Sequence, residues 1–191
     1  MAINLSKGER VTLSSGLNNI IVGLGWDPNE GTGYDFDLDA SAFCLGDNGK
    51  CPEEKYFVFY DNEWSPDKAV QGPKDDLTGG NSDGGDDEEI KITLNKLSSS
   101  IKEIVIYATI YDPINRKQNF GQVRNSYMRI IDRDNNDEIM KYELDEDFST
   151  ETAVEFGRLY RRGDEWKFEA IGKGYNEELR YFVTKYGLSV K

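Results

Sequence analysis

The stretch Gly25-Trp-Asp-Pro-Asn-Glu-Gly-Thr-Gly-Tyr-Asp-Phe-Asp-Leu-Asp-Ala-Ser41 decides how the rest of the chain is read. Within it Asp35, Asp37 and Asp39 alternate with Phe36, Leu38 and Ala40. An extended backbone sends successive side chains to opposite faces, so this pattern places three carboxylates on one side and apolar groups on the other. Strands deplete Asp, and two carboxylates about 4 Å apart repel by about 4 kcal/mol at an effective dielectric of about 20. A cation, or divergence of the side chains into water, has to offset that repulsion. Same-face side chains on a regular strand lie about 6.5 to 7 Å apart. Sharing an ion therefore requires a bend, and Gly31 and Gly33 are where it is expected.

Outward from this stretch, aromatic and β-branched residues cluster in short runs separated by Gly, Asn, Asp and Ser, as antiparallel strands and turns do. Asn19 to Trp26 is the most apolar run and is predicted to be central, with Trp26 packed in the core. Ala40 to Leu45, Lys55 to Tyr60, Glu89 to Leu94 and Glu103 to Tyr111 are further strands, and Ile3 to Leu5 and Arg10 to Leu13 are short leading ones. Asp61 to Asn81 is a long polar excursion from the sheet. Two hairpins pair Ser126–Ile131 with Ile139–Leu144 and Ala153–Arg162 with Glu165–Gly174, the second exposing Arg161 and Arg162 at its end. Asp112-Pro113 signals a helix start, and the spacing of Leu179, Phe182 and Val183 predicts a helix over Asn176–Tyr186 that stops at Gly187. The fold class that follows is all-β: a β-sandwich of two mostly antiparallel sheets with a short helix near 113–118 and a C-terminal helix, in a single domain over 1–191.

Composition narrows the chemistry. The 191 residues carry 23 Lys+Arg against 36 Asp+Glu, a formal charge of -13, which opposes nucleic acid and anionic membrane surfaces and suits cations or basic proteins. There is no histidine, which removes Ser-His-Asp and Cys-His catalysis and His-ligated zinc. The two cysteines, Cys44 and Cys51, are expected as reduced thiols, since the N-terminal residues lack the apolar run of an export signal and no stretch is long and apolar enough to span a membrane. The expected setting is soluble and intracellular.

A second acidic segment, Asp75-Asp-Leu-Thr-Gly-Gly-Asn-Ser-Asp-Gly-Gly-Asp-Asp-Glu-Glu89, offers carboxylates and glycine-freed carbonyls, the oxygen donors a hard cation needs. Calcium, which takes about 6 to 8 oxygens in flexible geometry, fits this better than magnesium. The spacing of Asp35, Asp37 and Asp39 begins like an EF-hand loop, but Ala40 and Gly46 stand where glycine and glutamate are required. Asp132-x-Asp134-x-Asn136 with Glu143 has Asp137 at the glycine position and strand-like flanks, and is predicted to be an ordinary hairpin turn.

Leu5-Ser-Lys-Gly8, Val22-Gly-Leu-Gly-Trp-Asp27, Asp35-Phe-Asp-Leu-Asp-Ala-Ser-Ala-Phe43, Asp76-Leu-Thr-Gly79, Gly85-Asp-Asp-Glu88 and Asn119-Phe-Gly-Gln-Val123 together resemble the TerD tellurium-resistance family nearly end to end, as do Tyr160-Arg161 and Trp166-Lys-Phe168. The resemblance implies a bacterial calcium-binding β-sandwich of tellurite resistance and general stress. It also implies a cytoplasmic protein that reaches the inner membrane through protein partners of the TerC type, without inserting. Carried over by position, the ligands are Asp27, Asp35, Asp37, Asp39, Asp75, Asp83, Asp86, Asp87 and Glu88, with carbonyls of Gly33, Tyr34 and Leu77, arranged about roughly two Ca2+ ions. The chain departs from the family form at Lys74-Asp75-Asp76, where Gly-Asp-Asn is expected, and Gly80 to Gly85 is longer, so Asp75, Asp76 and Asp83 stay open as alternatives. Asn119 or Asp112 is expected to support the ion loops.

The expected function is a non-enzymatic interaction module whose acidic loops bind calcium. A metal-dependent hydrolase is the enzyme alternative, and it is short of a base, a nucleophile and an Arg or Lys near the acids. A calcium-switched membrane module is the third, opposed by the net charge and by loops lacking basic or bulky apolar tips apart from Trp64.

Overall fold

The computed structural model describes residues 3–6, 8–80, 85–144 and 148–190, and in these twelve strands form two six-stranded sheets. One sheet has the order β1 (Ile3–Asn4), β10 (Asp137–Glu143), β9 (Tyr127–Asp132), β3 (Asn19–Gly25), β7 (Glu88–Thr93), β6 (Val70–Gln71). The other has the order β2 (Arg10–Thr12), β12 (Glu165–Tyr175), β11 (Ala153–Arg162), β8 (Glu103–Ile110), β4 (Leu38–Leu45), β5 (Phe57–Val58). All pairings are antiparallel except β1 with β10. This is the expected sandwich.

Burial follows the sequence pattern. Strand β7 alternates, with Glu88, Ile90 and Ile92 buried and Glu89, Lys91 and Thr93 less so, as one face against a core requires. Strands β3, β4 and β8 are buried along almost their whole length. For β4 and β8 the second covering layer is the helix α2 (Leu179–Lys185): Tyr107 of β8 packs on Phe182, with ring centroids 4.1 Å apart, and Phe43 of β4 packs on Tyr186 just beyond it. Asp39, Ser41 and Phe43 stand opposite Thr109, Tyr107 and Val105. Residues of one parity share a face, so Asp39 and Thr109 end the row that α2 covers.

Four expectations need correcting. The run Lys55 to Tyr60 forms only the two-residue β5 after a 3-10 turn at Glu54–Tyr56, because Asn62 Nδ2 donates to the carbonyls of Lys55 and Phe57 and folds the chain back. The excursion returns to the sheet as β6, pairing with Ile92 and Lys91. Helix α2 begins at Leu179 and not at Asn176, since Thr152 donates to the carbonyls of Tyr175 and Glu177 and holds that segment outside the helix. Arg161 is half-buried, donating to the carbonyls of Ile101 and Leu97 and lying over Trp166. Trp26 is in the core, Gly187 ends α2 at φ +84°, and both thiols are free and buried.

Candidate metal centre

Strand β4 is entered through a bend at residues 31–33, with Gly33 at φ +129°. The bend supplies the expected change of direction, and Asp37 and Asp39 follow it at 6% and 4% exposure. Across from them the loop before β7 brings Asp75, and oxygens of Asp37, Asp39 and Asp75 all lie within 4.8 Å of one another. Like charges at such distances in a buried setting are unfavourable without a compensating cation.

Two devices hold the group together. Glu88, 1% exposed at the end of the inward row of β7, accepts the Ala40 amide at 2.8 Å and the Asp76 amide at 3.3 Å, tying the two acidic segments to each other. The Ala40 amide is available because β5 pairs only with Ala42 and Phe43 and does not reach it. Asp76 turns away: its Oδ1 accepts the amides of Thr78 and Gly79, shaping the turn that leaves Asp75 facing Asp37 and Asp39. Gly79, at φ +71°, closes that turn directly over Trp26, where a Cβ would strike the indole.

Among the described residues, the basic side chain paired with the triad is Arg116, from the short helix α1 (Pro113–Arg116) that follows β8. Its Nη1 is 3.5 Å from Asp37 Oδ2, and its guanidinium lies between the rings of Tyr111 and Tyr34 at 4.9 and 5.5 Å. Arg116 is a single cation near the acids that the sequence did not point to, and it is engaged by Asp37 and the two rings. Support for the first loop comes from Gln118, whose Nε2 donates to the carbonyls of Tyr34 and Asp35. Asp112 forms no side-chain cap on α1 and instead accepts from Asn115 Nδ2.

Burial raises the Asp39 carboxyl to about 8, with the charge of Asp37 adding to it, and raises Asp37 to about 6 against the pull of Arg116. Burial likewise lifts Glu88 to about 9 in spite of its two amide donors. In the cation-free fold these groups keep protons that the unfolded chain releases near 3.8 to 4.5. Their contribution to stability is therefore full below about pH 4 and is lost as pH rises toward about 8 to 9. Urea midpoints in EDTA are expected to be lower near pH 8 than near pH 5, and the opposite order contradicts burial as the cause.

The other sequence-predicted residues lie apart from the triad or are otherwise engaged. Asp86 Oδ1 accepts from Arg129 Nε at 2.8 Å and from the Tyr127 hydroxyl at 2.9 Å, and its carboxylate fills the space a Cβ on Gly23 would need. Asp87 Oδ2 accepts the Trp26 amide at 2.9 Å, and Asp27 Oδ2 accepts from Asn125 Nδ2 at 2.6 Å. Asp35, Gly33 and Tyr34 are exposed, with the Tyr34 carbonyl taken by Asn29 and Gln118. Leu77 is 56% exposed. Asp83 lies outside the described residues. The Asp132–Asp137 turn closes the β9–β10 hairpin, as expected.

Among the described residues no helix is long and apolar enough to cross a membrane. The model of the TerD domain matches residues 1–186. The chain is 45% identical over 192 residues, 99% of both chains, to tellurium resistance protein TerD of Serratia marcescens. It is also 45% identical over 194 residues, the whole of both chains, to general stress protein 16U of Bacillus subtilis (strain 168). In fold it is similar to the crystal structure of a homologue of telluride resistance protein (TerD) from Streptomyces coelicolor A3(2), with a TM-score of 0.74 and 23% identity over 92% of this chain and all of that one. A sandwich whose two acidic loops meet beside β4, matched over nearly its full length, belongs to the TerD family.

Proposed function

We propose that this chain is a calcium-binding, non-enzymatic interaction module of a tellurite-resistance or general stress response, with Asp37, Asp39 and Asp75 as its primary ligands. The observation that carries the reading is the convergence of three carboxylates, two of them buried, within 4.8 Å. The donor set fits a hard cation: oxygen only, with no histidine in the chain and both thiols buried in the core. A bound cation supplies the positive charge that lets the three carboxylates ionise together. The triad is the place for the first of the roughly two ions expected; Asp86 and Asp87 each give one oxygen to a protein donor, and Asp86 Oδ2 is buried without a hydrogen-bond partner.

Arg116 links the centre to the surface. It pairs with Asp37 and stacks on Tyr34 and Tyr111, which are 63% and 48% exposed. A change in charge at Asp37 changes what holds Arg116, and with it the aromatic surface offered to a partner. A TerC-type membrane protein is the proposed partner, which would hold a cytoplasmic protein at the inner membrane without insertion.

Calcium is expected to raise the melting temperature by about 5 to 10 °C when free calcium is about 100 times Kd, from about 2.7 kcal/mol of linkage in a chain of this size. EDTA removes the increment and magnesium gives less of it. Superimposable melting curves in calcium, magnesium and EDTA contradict the reading.

A further inference from the structure

The row that ends in Asp39 and Thr109 opens into a cleft of about 890 Å³ between the β4–β8 end of the sheet and α2. Its size suits a small organic molecule. The inner end is polar and unsatisfied: Thr109 is 1% exposed and its hydroxyl has no hydrogen-bond partner, beside the carboxylate of Asp39. A buried hydroxyl without a partner is uncommon in a native fold and marks a place where something else supplies the bond. The walls are apolar and aromatic, with Phe59 and Tyr60 on one side and Leu179 and Val183 of α2 on the other. The charge of the lining is acidic, five Asp or Glu residues against Lys55 and Arg180, on a chain of net charge -13.

We propose that this cleft binds a small organic ammonium with an apolar body, its charged nitrogen donating to Asp39 and Thr109 and its body lying between Phe59, Tyr60, Leu179 and Val183. The assignment follows from sign and shape. An oxyanion would face Asp39 directly, a neutral apolar molecule would leave Thr109 unpaired, and an ammonium satisfies both groups while its apolar body covers Tyr60. Thr109, Tyr60 and α2 take no part in the Asp37–Asp39–Asp75 triad, and Asp75 takes no part in the cleft lining. Asp39 belongs to both, so calcium and the amine compete for it, and by linkage each weakens the other to the same degree.

The test is titration of the full chain, in EDTA at about pH 9, where Asp39 has released its proton and the amine still keeps its own, with 2-phenylethylamine, followed by NMR shifts and calorimetry, with 2-phenylethanol and phenylacetate as controls. The amine is expected to bind saturably, with shifts in Thr109, Tyr60 and Val183, and the alcohol at least about tenfold more weakly, since a hydrogen bond to a charged group is lost. Thr109→Val weakens the amine about fivefold, and Tyr60→Ala, at an exposed position, by about threefold. Asp75→Asn weakens calcium binding at least about tenfold and leaves the amine bound, so failure of the calcium reading and failure of this one are separable. Binding of phenylacetate or 2-phenylethanol as tightly as the amine, no saturable amine binding, or amine binding indifferent to both Thr109→Val and Tyr60→Ala overturns the proposal.

Discussion

Glu88→Ala is expected to cost about 3 kcal/mol of folding stability and to weaken calcium binding at least about tenfold. Glu88 is the buried acceptor for two amides that belong to different segments, Ala40 at the start of β4 and Asp76 in the loop before β7. Alanine leaves both amides buried without partners. It also cuts the tie that holds Asp75 against Asp37 and Asp39, so the two losses arise from one cause. Glu88→Gln keeps one acceptor oxygen and sets an NH2 against the other amide, and is expected to lose roughly half as much. Urea denaturation in EDTA measures the first effect and calcium titration the second. An alanine variant within about 0.5 kcal/mol of wild type contradicts the bridging role.

Arg129→Leu is the second large effect, at about 3 kcal/mol, and it separates structural acids from metal-binding ones. The Asp86 side chain is 1% exposed, and its ion pair is with Arg129 on β9, which also reaches Glu138 at 2.9 Å. Without the guanidinium, Asp86 is a buried carboxylate with only the Tyr127 hydroxyl, and removal of one partner from a buried pair is far costlier than the pair is worth. The partial exposure of Arg129, 24%, places the cost at the lower end of the range for such pairs. Calcium is not expected to restore the lost stability, as read by the shift in urea midpoint. Full restoration by calcium would place a cation at Asp86 and move the centre away from Asp37, Asp39 and Asp75.

These two residues show what the sequence made legible. Alternation in Glu89 to Leu94 is enough to find β7, and glycines around residue 32 are enough to find the bend before β4, because both are local consequences of chain geometry. Asp37 and Asp39 are legible as a pair for the same reason. The division of labour in the second acidic segment is not. Asp75, Asp76, Asp86 and Asp87 are equivalent on paper, and what separates them is contact with distant residues: Asp76 with the amides of its own turn, Asp86 with Arg129, and Asp87 with the Trp26 amide. A half-buried Arg or Tyr partner about 40 residues downstream leaves no periodic trace. Arg116 was hidden in the same way, since α1 is one turn long and only the end of β8 brings it to Asp37. The signal available for it was proximity in sequence to Asp112-Pro113, a helix start placed at the end of a buried strand. Glu88 is named from the sequence as a ligand, and its burial could have been found by continuing the inward row of Ile92 and Ile90 by one more step, which puts a carboxylate inside the sandwich and demands donors for it.

Calcium calorimetry on the wild-type chain and on Asp75→Asn tests the central claim most directly. Asp75 is exposed, so its substitution leaves the fold in place and reports on the centre alone. Wild type is expected to give a saturable calcium heat. Asp75→Asn is expected to bind at least about tenfold more weakly, as removal of one of three charged ligands requires, while Asp35→Asn and Asp86→Asn titrate like wild type. A wild-type chain with no saturable calcium heat, or an Asp75→Asn variant that titrates like it, contradicts a cation centre built on Asp37, Asp39 and Asp75.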